Sequence, residues 1–211
     1  MSEDFELEIE PASAEAIFGA GIGQARDYAT NLVLDADLLG LLGPREMPKL
    51  WTRHILNSAV VSELLLAGSK VADVGSGAGL PGIPMAIARP DVKFVLIEPM
   101  ERRASWLEKQ VEELELKNVK VRRARAEEIE AHTFDVVTAR AVSALPKLLR
   151  LTVPLLKSGG AVLALKGSKA QDEITDSLSL QKKLKIKSFD ILYTGEAHLA
   201  EPTLVVVTRL I

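Results

Sequence analysis

Apolar residues recur at helical spacing over the first third of the chain and switch to strand-like runs after it. Ala14–Gly23, Gln24–Leu42 and Leu56–Leu66 each read as helices, with Leu32, Leu38, Leu39 and Leu42 among the apolar positions. Gly43-Pro44 breaks the second of these. Pro48 is placed to start a short helix through Trp51 and His54. From Lys70 onward strands and helices alternate. The strands are Lys70–Val74, Lys93–Ile97, Val119–Arg122, Asp135–Ala139 and Gly160–Leu165, and the helices are Ile83–Ala88, Glu101–Leu116 and Ala144–Leu156. Trp106, Leu107, Val111 and Leu114 form the sheet-facing side of the second of these helices. A helix over 169–184 follows, then strands near Ile186–Tyr193 and Thr203–Arg209, too close together for a helical crossover. This pattern predicts an α/β fold: a doubly wound, mostly parallel sheet with right-handed crossovers, closed by an antiparallel hairpin. Residues 1–66 are expected to form a helical extension packed on a core spanning 67–211, one compact domain overall.

The first strand runs into Asp73-Val74-Gly75-Ser76-Gly77-Ala78-Gly79-Leu80-Pro81-Gly82 and then into an apolar helix. A strand-loop-helix turn rich in glycine lets backbone N–H groups approach a ligand closely. The spacing of Gly75, Gly77 and Gly79 is GxGxG, and Leu80 stands where a dinucleotide fingerprint has its third glycine. Asp73, two residues before the first glycine, suits a ligand with a cationic end rather than a pyrophosphate. S-adenosylmethionine, with its ammonium and sulfonium, is such a ligand. Glu98 ends the second strand, about twenty residues on, where an acid accepts ribose hydroxyls.

Ala126-Glu127 follows the third strand and either flanks the same crevice or begins a solvated helix. Arg140 ends the fourth strand, a costly place to bury a cation without a partner, so it should face the crevice or meet an acid there. His54 reads either as a general base or as a satisfied structural histidine, and Trp51 and Arg53 either touch a nucleotide or pack. Arg102, Arg103, Arg123, Arg125 and Lys166 are basic residues at or near strand ends, candidates for contact with RNA.

Composition narrows the classes. The chain has 211 residues, no cysteine and a net charge of −3. Disulfides, thiolate metal sites and cysteine nucleophiles are therefore excluded. The acidic start MSEDFELEIE has neither the basic nor the apolar region of a secretory signal, and no apolar run spans a bilayer. A cytoplasmic protein without membrane contact is expected. The negative charge opposes gripping nucleic acid by bulk electrostatics, so any RNA contact must rest on local patches.

Taken in order, RHIL-N-S, DVGSGAGLPGIP, the acid of Leu96-Ile97-Glu98, RRASWL, RAEE, FDVVTARAVSAL and ALKG resemble the RsmG (GidB) family, from about residue 26 to 167. Asn57 stands where many relatives have Asp, and Arg102 where many have Lys. The resemblance implies a class I methyltransferase Rossmann-like fold with a seven-stranded sheet. It implies S-adenosylmethionine as donor, S-adenosylhomocysteine as product, and no metal. It also implies methylation of guanine N7 in 16S ribosomal RNA. Carried over, the cofactor residues are Gly75, Leu80, Ala126, Glu127 and Arg140, beside the Asp73, Gly77, Gly79 and Glu98 read from the loop itself. Arg140 is the candidate catalytic residue. The RNA is expected as part of a small-subunit particle, and the protein as a monomer. A methyltransferase for a small molecule or protein, or a non-catalytic donor-binding module, are the alternatives.

Overall fold

The computed structural model describes residues 6–211, so the first five residues of the acidic start lie outside it. A seven-stranded sheet is ordered β3-β2-β1-β4-β5-β7-β6. The strands are β1 (Lys70–Val74), β2 (Lys93–Ile97), β3 (Val119–Arg122), β4 (Phe134–Arg140), β5 (Leu156–Leu165), β6 (Ile186–Thr194) and β7 (Thr203–Leu210). β1 to β5 are parallel, while β7 runs antiparallel to both β5 and β6, closing the sheet as the expected hairpin. The chain winds outward from β1 to β3 and then returns to β4 on the other side. The carboxyl ends of β1 and β4 therefore form the switch point where α/β sheets bind ligands.

Helices α1 (Ser13–Phe18), α2 (Ile22–Leu39), α4 (Gly82–Ala88) and α5 (Glu101–Glu113) lie over one sheet face. The N-terminal helices are no separate layer. Tyr28, Leu32 and Ile55 share one buried cluster with Val71, Phe94 and Leu107. Burial of such side chains contributes about 1.5–3 kcal/mol each, which fixes the helices on the sheet. α6 (Leu145–Thr152) and α7 (Ala170–Ser177) cover the other face, around Ala72, Val137 and Val206.

Some elements depart from their expected form. The first predicted helix stops at Phe18, because Gly19 takes φ 51°. The expected helix over 56–66 is part of a mixed run: a 3-10 stretch Pro44–Lys49, a π-helical stretch Leu50–Leu56, one α-helical turn α3 (Asn57–Ala59) and a 3-10 end Val60–Leu64. Pro48 sits inside the first stretch rather than opening a helix. Asn57 anchors this run to β7, since its side-chain and backbone oxygens both accept the Thr203 hydroxyl. Leu38 is 73% exposed although its spacing suited the core. Helix α6 ends at Thr152, just before Pro154, and α7 ends at Ser177, both short of expectation. β5 begins at Leu156 and slips register before Val136 pairs with Ala161, where Gly159 takes φ 74°.

A candidate donor site at the switch point

The loop after β1 is held from three sides. Gly75 and Ser76 donate to the Ile97 carbonyl of β2 at 2.9 and 3.2 Å. The Gly77 N–H donates to Glu98 Oε2 at 2.9 Å. The buried Tyr28 hydroxyl of α2 donates to the Ala78 carbonyl at 2.6 Å. Gly75, Gly77 and Gly79 have φ of 71°, 55° and 87°, conformations that side chains resist. Gly82 plays the packing part that a dinucleotide motif gives to its third glycine. A Cβ there would stand 2.4 Å from Leu96 Cδ2 and 2.6 Å from Asp73 Oδ2.

Asp73 lies wholly buried beneath the loop. Its Oδ2 accepts the Gly82 N–H at 3.0 Å, while Oδ1 has no partner. Burial pushes this carboxyl up to about 7, with the Gly82 N–H pulling the other way. Glu98 is 3% exposed, and its two oxygens each accept one backbone N–H, from Gly77 and Met100, both at 2.9 Å. A carboxylate oxygen has lone pairs to spare after one such bond. Two apolar side chains stand open next to these groups: Met100, 53% exposed, and Val142, 38% exposed, the latter directly over Gly75. Ala126 opens a 3-10 turn and is buried in the same cluster as Val74 and Ile97. Glu127 beside it is exposed.

Arg140 ends β4, and its partner is a histidine rather than an acid. Its guanidinium donates to His54 Nδ1 at 2.6 Å, and to the His54 carbonyl and Ser58 Oγ at 3.3 Å each. Arginine only donates, so His54 Nδ1 is the unprotonated nitrogen and Nε2–H donates to Glu46 Oε2 at 2.7 Å. Burial, helped by the Arg140 charge, lowers His54 to about 4 and keeps it neutral. His54 is thus a structural histidine, and its task is to hold Arg140. Three guanidinium N–H groups are engaged, which leaves two of the five for a ligand. Burial raises the Tyr28 hydroxyl well above its usual value, with the Asp73 charge adding to the rise and the Arg140 charge opposing it.

The remaining sequence candidates divide. Lys166 is committed to Glu173 Oε2 at 2.8 Å and the Ser143 carbonyl at 2.7 Å, bracing the loop after β4 against α7. Arg102 and Arg103 donate to the Leu38 and Gly40 carbonyls and so close the end of α2. Arg53 is exposed and 3.5 Å from Glu46, Arg123 pairs with Glu101 at 2.9 Å, and Arg125 is exposed. The Leu80 side chain is buried in the core cluster that holds Ile83 and Leu107. Tyr28, Glu46, Met100 and Val142 went unread in the sequence. Only the exposed apolar character of Met100, next to Glu98, offered a local signal.

This site fits a nucleoside carrying a cation. A backbone cradle with glycine at every second position faces two carboxylates, one with an orphaned buried oxygen, and apolar surface lies alongside. The strand order, with its antiparallel β7 and its glycine loop and acid at the ends of β1 and β2, is that of class I S-adenosylmethionine-dependent methyltransferases. Among solved structures, TYW2 of M. jannaschii in complex with AdoMet aligns with a TM-score of 0.60 at 18% identity, covering 75% of this chain and 76% of that one. A SAM-dependent methyltransferase from Aquifex aeolicus aligns at 0.57 and 17% identity, covering 87% and 98%.

Within that class the chain belongs to the GidB family, described as rRNA small subunit methyltransferase G, whose model matches residues 22–200. The Ribosomal RNA small subunit methyltransferase G of Leifsonia xyli is 52% identical over 95% of this chain and 96% of its own. Those of Clavibacter michiganensis and Corynebacterium glutamicum are 50% and 45% identical, over 99% and 94% of this chain and 99% and 91% of their own.

Proposed function

We propose that this protein transfers a methyl group from S-adenosylmethionine to N7 of a guanine in 16S ribosomal RNA. The observation that carries this reading is the identity of about half of all positions with named rRNA small subunit methyltransferases over nearly the whole chain. The switch-point crevice supports it. The Gly75–Gly79 backbone, Glu98, Asp73 and the Ala126-Glu127 turn would hold the donor, with Glu98 toward ribose hydroxyls and Asp73 toward the ammonium. Met100 and Val142 would give the nucleoside apolar cover.

When bound, S-adenosylmethionine supplies a methyl group already activated on a sulfonium. Guanine N7 has an in-plane lone pair and no proton, so the protein needs no general base at that atom. This agrees with the neutral, fully engaged His54. The work left to the chain is placement and water exclusion. Arg140, steadied by His54 and Ser58, has N–H donors free to fix the donor or the guanine O6 edge. The guanine must leave its stack to present N7, as bases do for modifying enzymes. One chain carries all of these groups, which supports a monomer. We further infer that it acts in the cytoplasm, on RNA within a small-subunit particle, because an acidic protein grips naked RNA poorly.

The test is mass-spectrometric mapping of 7-methylguanosine in 16S RNA from cells with and without the protein, together with transfer of labelled methyl groups by purified protein. A methyl mark that disappears with the gene and is restored in vitro is expected. No transfer to RNA, with transfer to a small molecule or protein instead, overturns the reading.

A further inference from the structure

The sheet face shared with α6 and α7 is not fully covered. Between β3 and β4 the described chain forms only the 3-10 turn Ala126–Glu128, where a doubly wound fold usually lays a helix across β2 and β3. A cavity of about 860 Å³ opens there. Strand register shows what it presents. Lys70 of β1 is the register partner of Lys93 of β2, Val95 that of Lys120 of β3, and Ile97 that of Arg122. Residues in register on neighbouring strands point to one face, so Lys70, Lys93, Lys120 and Arg122 stand together on it.

Six cationic residues line this cavity against three carboxylates, in a protein of net charge −3. Two of those carboxylates are already engaged: Asp91 binds the Arg89 guanidinium through both oxygens, and Glu128 accepts the Arg125 N–H. Among the described residues, Lys93, Lys117, Lys120 and Arg122 make no ion pair, and Lys70 lies 4.9 Å over the Phe134 ring. Asp135, near Lys70, spends its oxygens on the Lys70 backbone N–H and on Lys157.

Charge on β3 alone would be ordinary, since lysines on an edge strand prevent sheet-to-sheet pairing. That reason does not reach Lys70 and Lys93, which lie on interior strands side by side, about 4.8 Å apart at the backbone. Like charges so placed weaken a sheet. A polyanion lying across them removes the penalty. Arg122, at the carboxyl end of β3, is the groove residue nearest the donor site, since its carbonyl accepts the Glu98 N–H at 3.1 Å, while Lys70 and Lys93 open their strands at the far end of the groove.

We propose that this groove binds the phosphate backbone of the RNA substrate, strand or helix flank, along a path that leads away from the crevice past Arg122. The proposal rests on the rRNA methyltransferase reading and adds its docking surface.

The test begins with unmodified protein. Amine-reactive labelling of lysines is compared with and without small-subunit particles, with Lys182 and Lys183 as internal controls. Selective protection of Lys93 and Lys120, lost at high salt as counterion competition requires, is expected. Equal labelling with and without particles overturns the proposal. Protection that persists at high salt assigns the groove to a ribosomal protein and also overturns it. In parallel, the double variant Lys93→Gln/Lys120→Gln should raise KM for particles about tenfold and lower the salt slope of binding by about 1.5. Its kcat and donor affinity should match the parent protein. An unchanged KM and slope in a variant that still binds donor refutes the groove. Parent protein that transfers no methyl group to 16S RNA refutes the function instead, so the two failures are separable.

Discussion

Asp73 and Glu98 are both buried carboxylates, yet the fold uses them differently. Glu98 gives each oxygen one backbone N–H, so Glu98→Ala removes a loop anchor as well as a ribose acceptor. Calorimetry with S-adenosylmethionine is expected to show a loss of about 1.5–3 kcal/mol, the range for hydrogen bonds to a charged group. Asp73, raised to about 7 by burial, binds its proton more tightly folded than unfolded. Its contribution to stability is therefore complete below about pH 4 and is lost as pH rises through about 7. An ammonium beside Oδ1 favours the ionised form. Donor affinity should accordingly rise between about pH 6 and pH 8 in titrations, and Asp73→Asn should flatten that dependence. His54 carries the opposite sign. Held near 4, it contributes stability above its unfolded value, and that stability is lost as pH falls through about 4. His54→Ala leaves Arg140 without its main anchor. Steady-state kinetics should show kcat/KM lowered about tenfold, or roughly 1.4 kcal/mol.

Among the elements, α2 braces the glycine loop. Its Tyr28 hydroxyl holds the Ala78 carbonyl from fifty positions away. Tyr28→Phe leaves that carbonyl short of a donor, and urea unfolding should register about 1–3 kcal/mol of lost stability together with weaker donor binding. The junction of α4 with β1 is tighter still. Gly82→Ala drives a methyl group into Leu96 and Asp73, so a destabilisation of about 1–3 kcal/mol is expected in the same measurement. These contacts tie the helices of the described N-terminal third to the sheet and its glycine loop. Arg102 and Arg103 belong to the same joint, because they close the end of α2 with their guanidinium groups. Their proximity to the crevice in sequence suggested RNA, and their geometry gives them this first task.

Across the whole molecule, charge is sorted rather than abundant. An acidic chain keeps six cations around one groove along β1, β2 and β3. Such sorting favours a partner that presents phosphates at one angle of approach and disfavours indiscriminate binding to nucleic acid. No helix among the described residues is long and apolar enough to cross a membrane. The two covered faces of the sheet also differ in purpose. The helices over Val71 and Phe94 complete a core, whereas the other face carries no helix between β3 and β4 among the described residues and leaves the basic groove open.

Local pattern alone determined the alternation of elements, the parallel sheet with its closing hairpin, the glycine loop, and Asp73 and Glu98 at the strand ends. Each of these depends on neighbours a few positions apart, and periodicity and glycine spacing record such neighbours. Helix ends were less legible at Gly19, Pro154 and Ser177, where single residues compete with continuing periodicity. Tertiary structure decided what depends on distant partners. It joined Arg140 to His54 across 86 positions and Tyr28 to Ala78 across 50, and it set Lys70 beside Lys93 by strand register. A side chain's hydrogen bonds and its charged neighbours are properties of the folded surroundings, and no spacing along the chain encodes them.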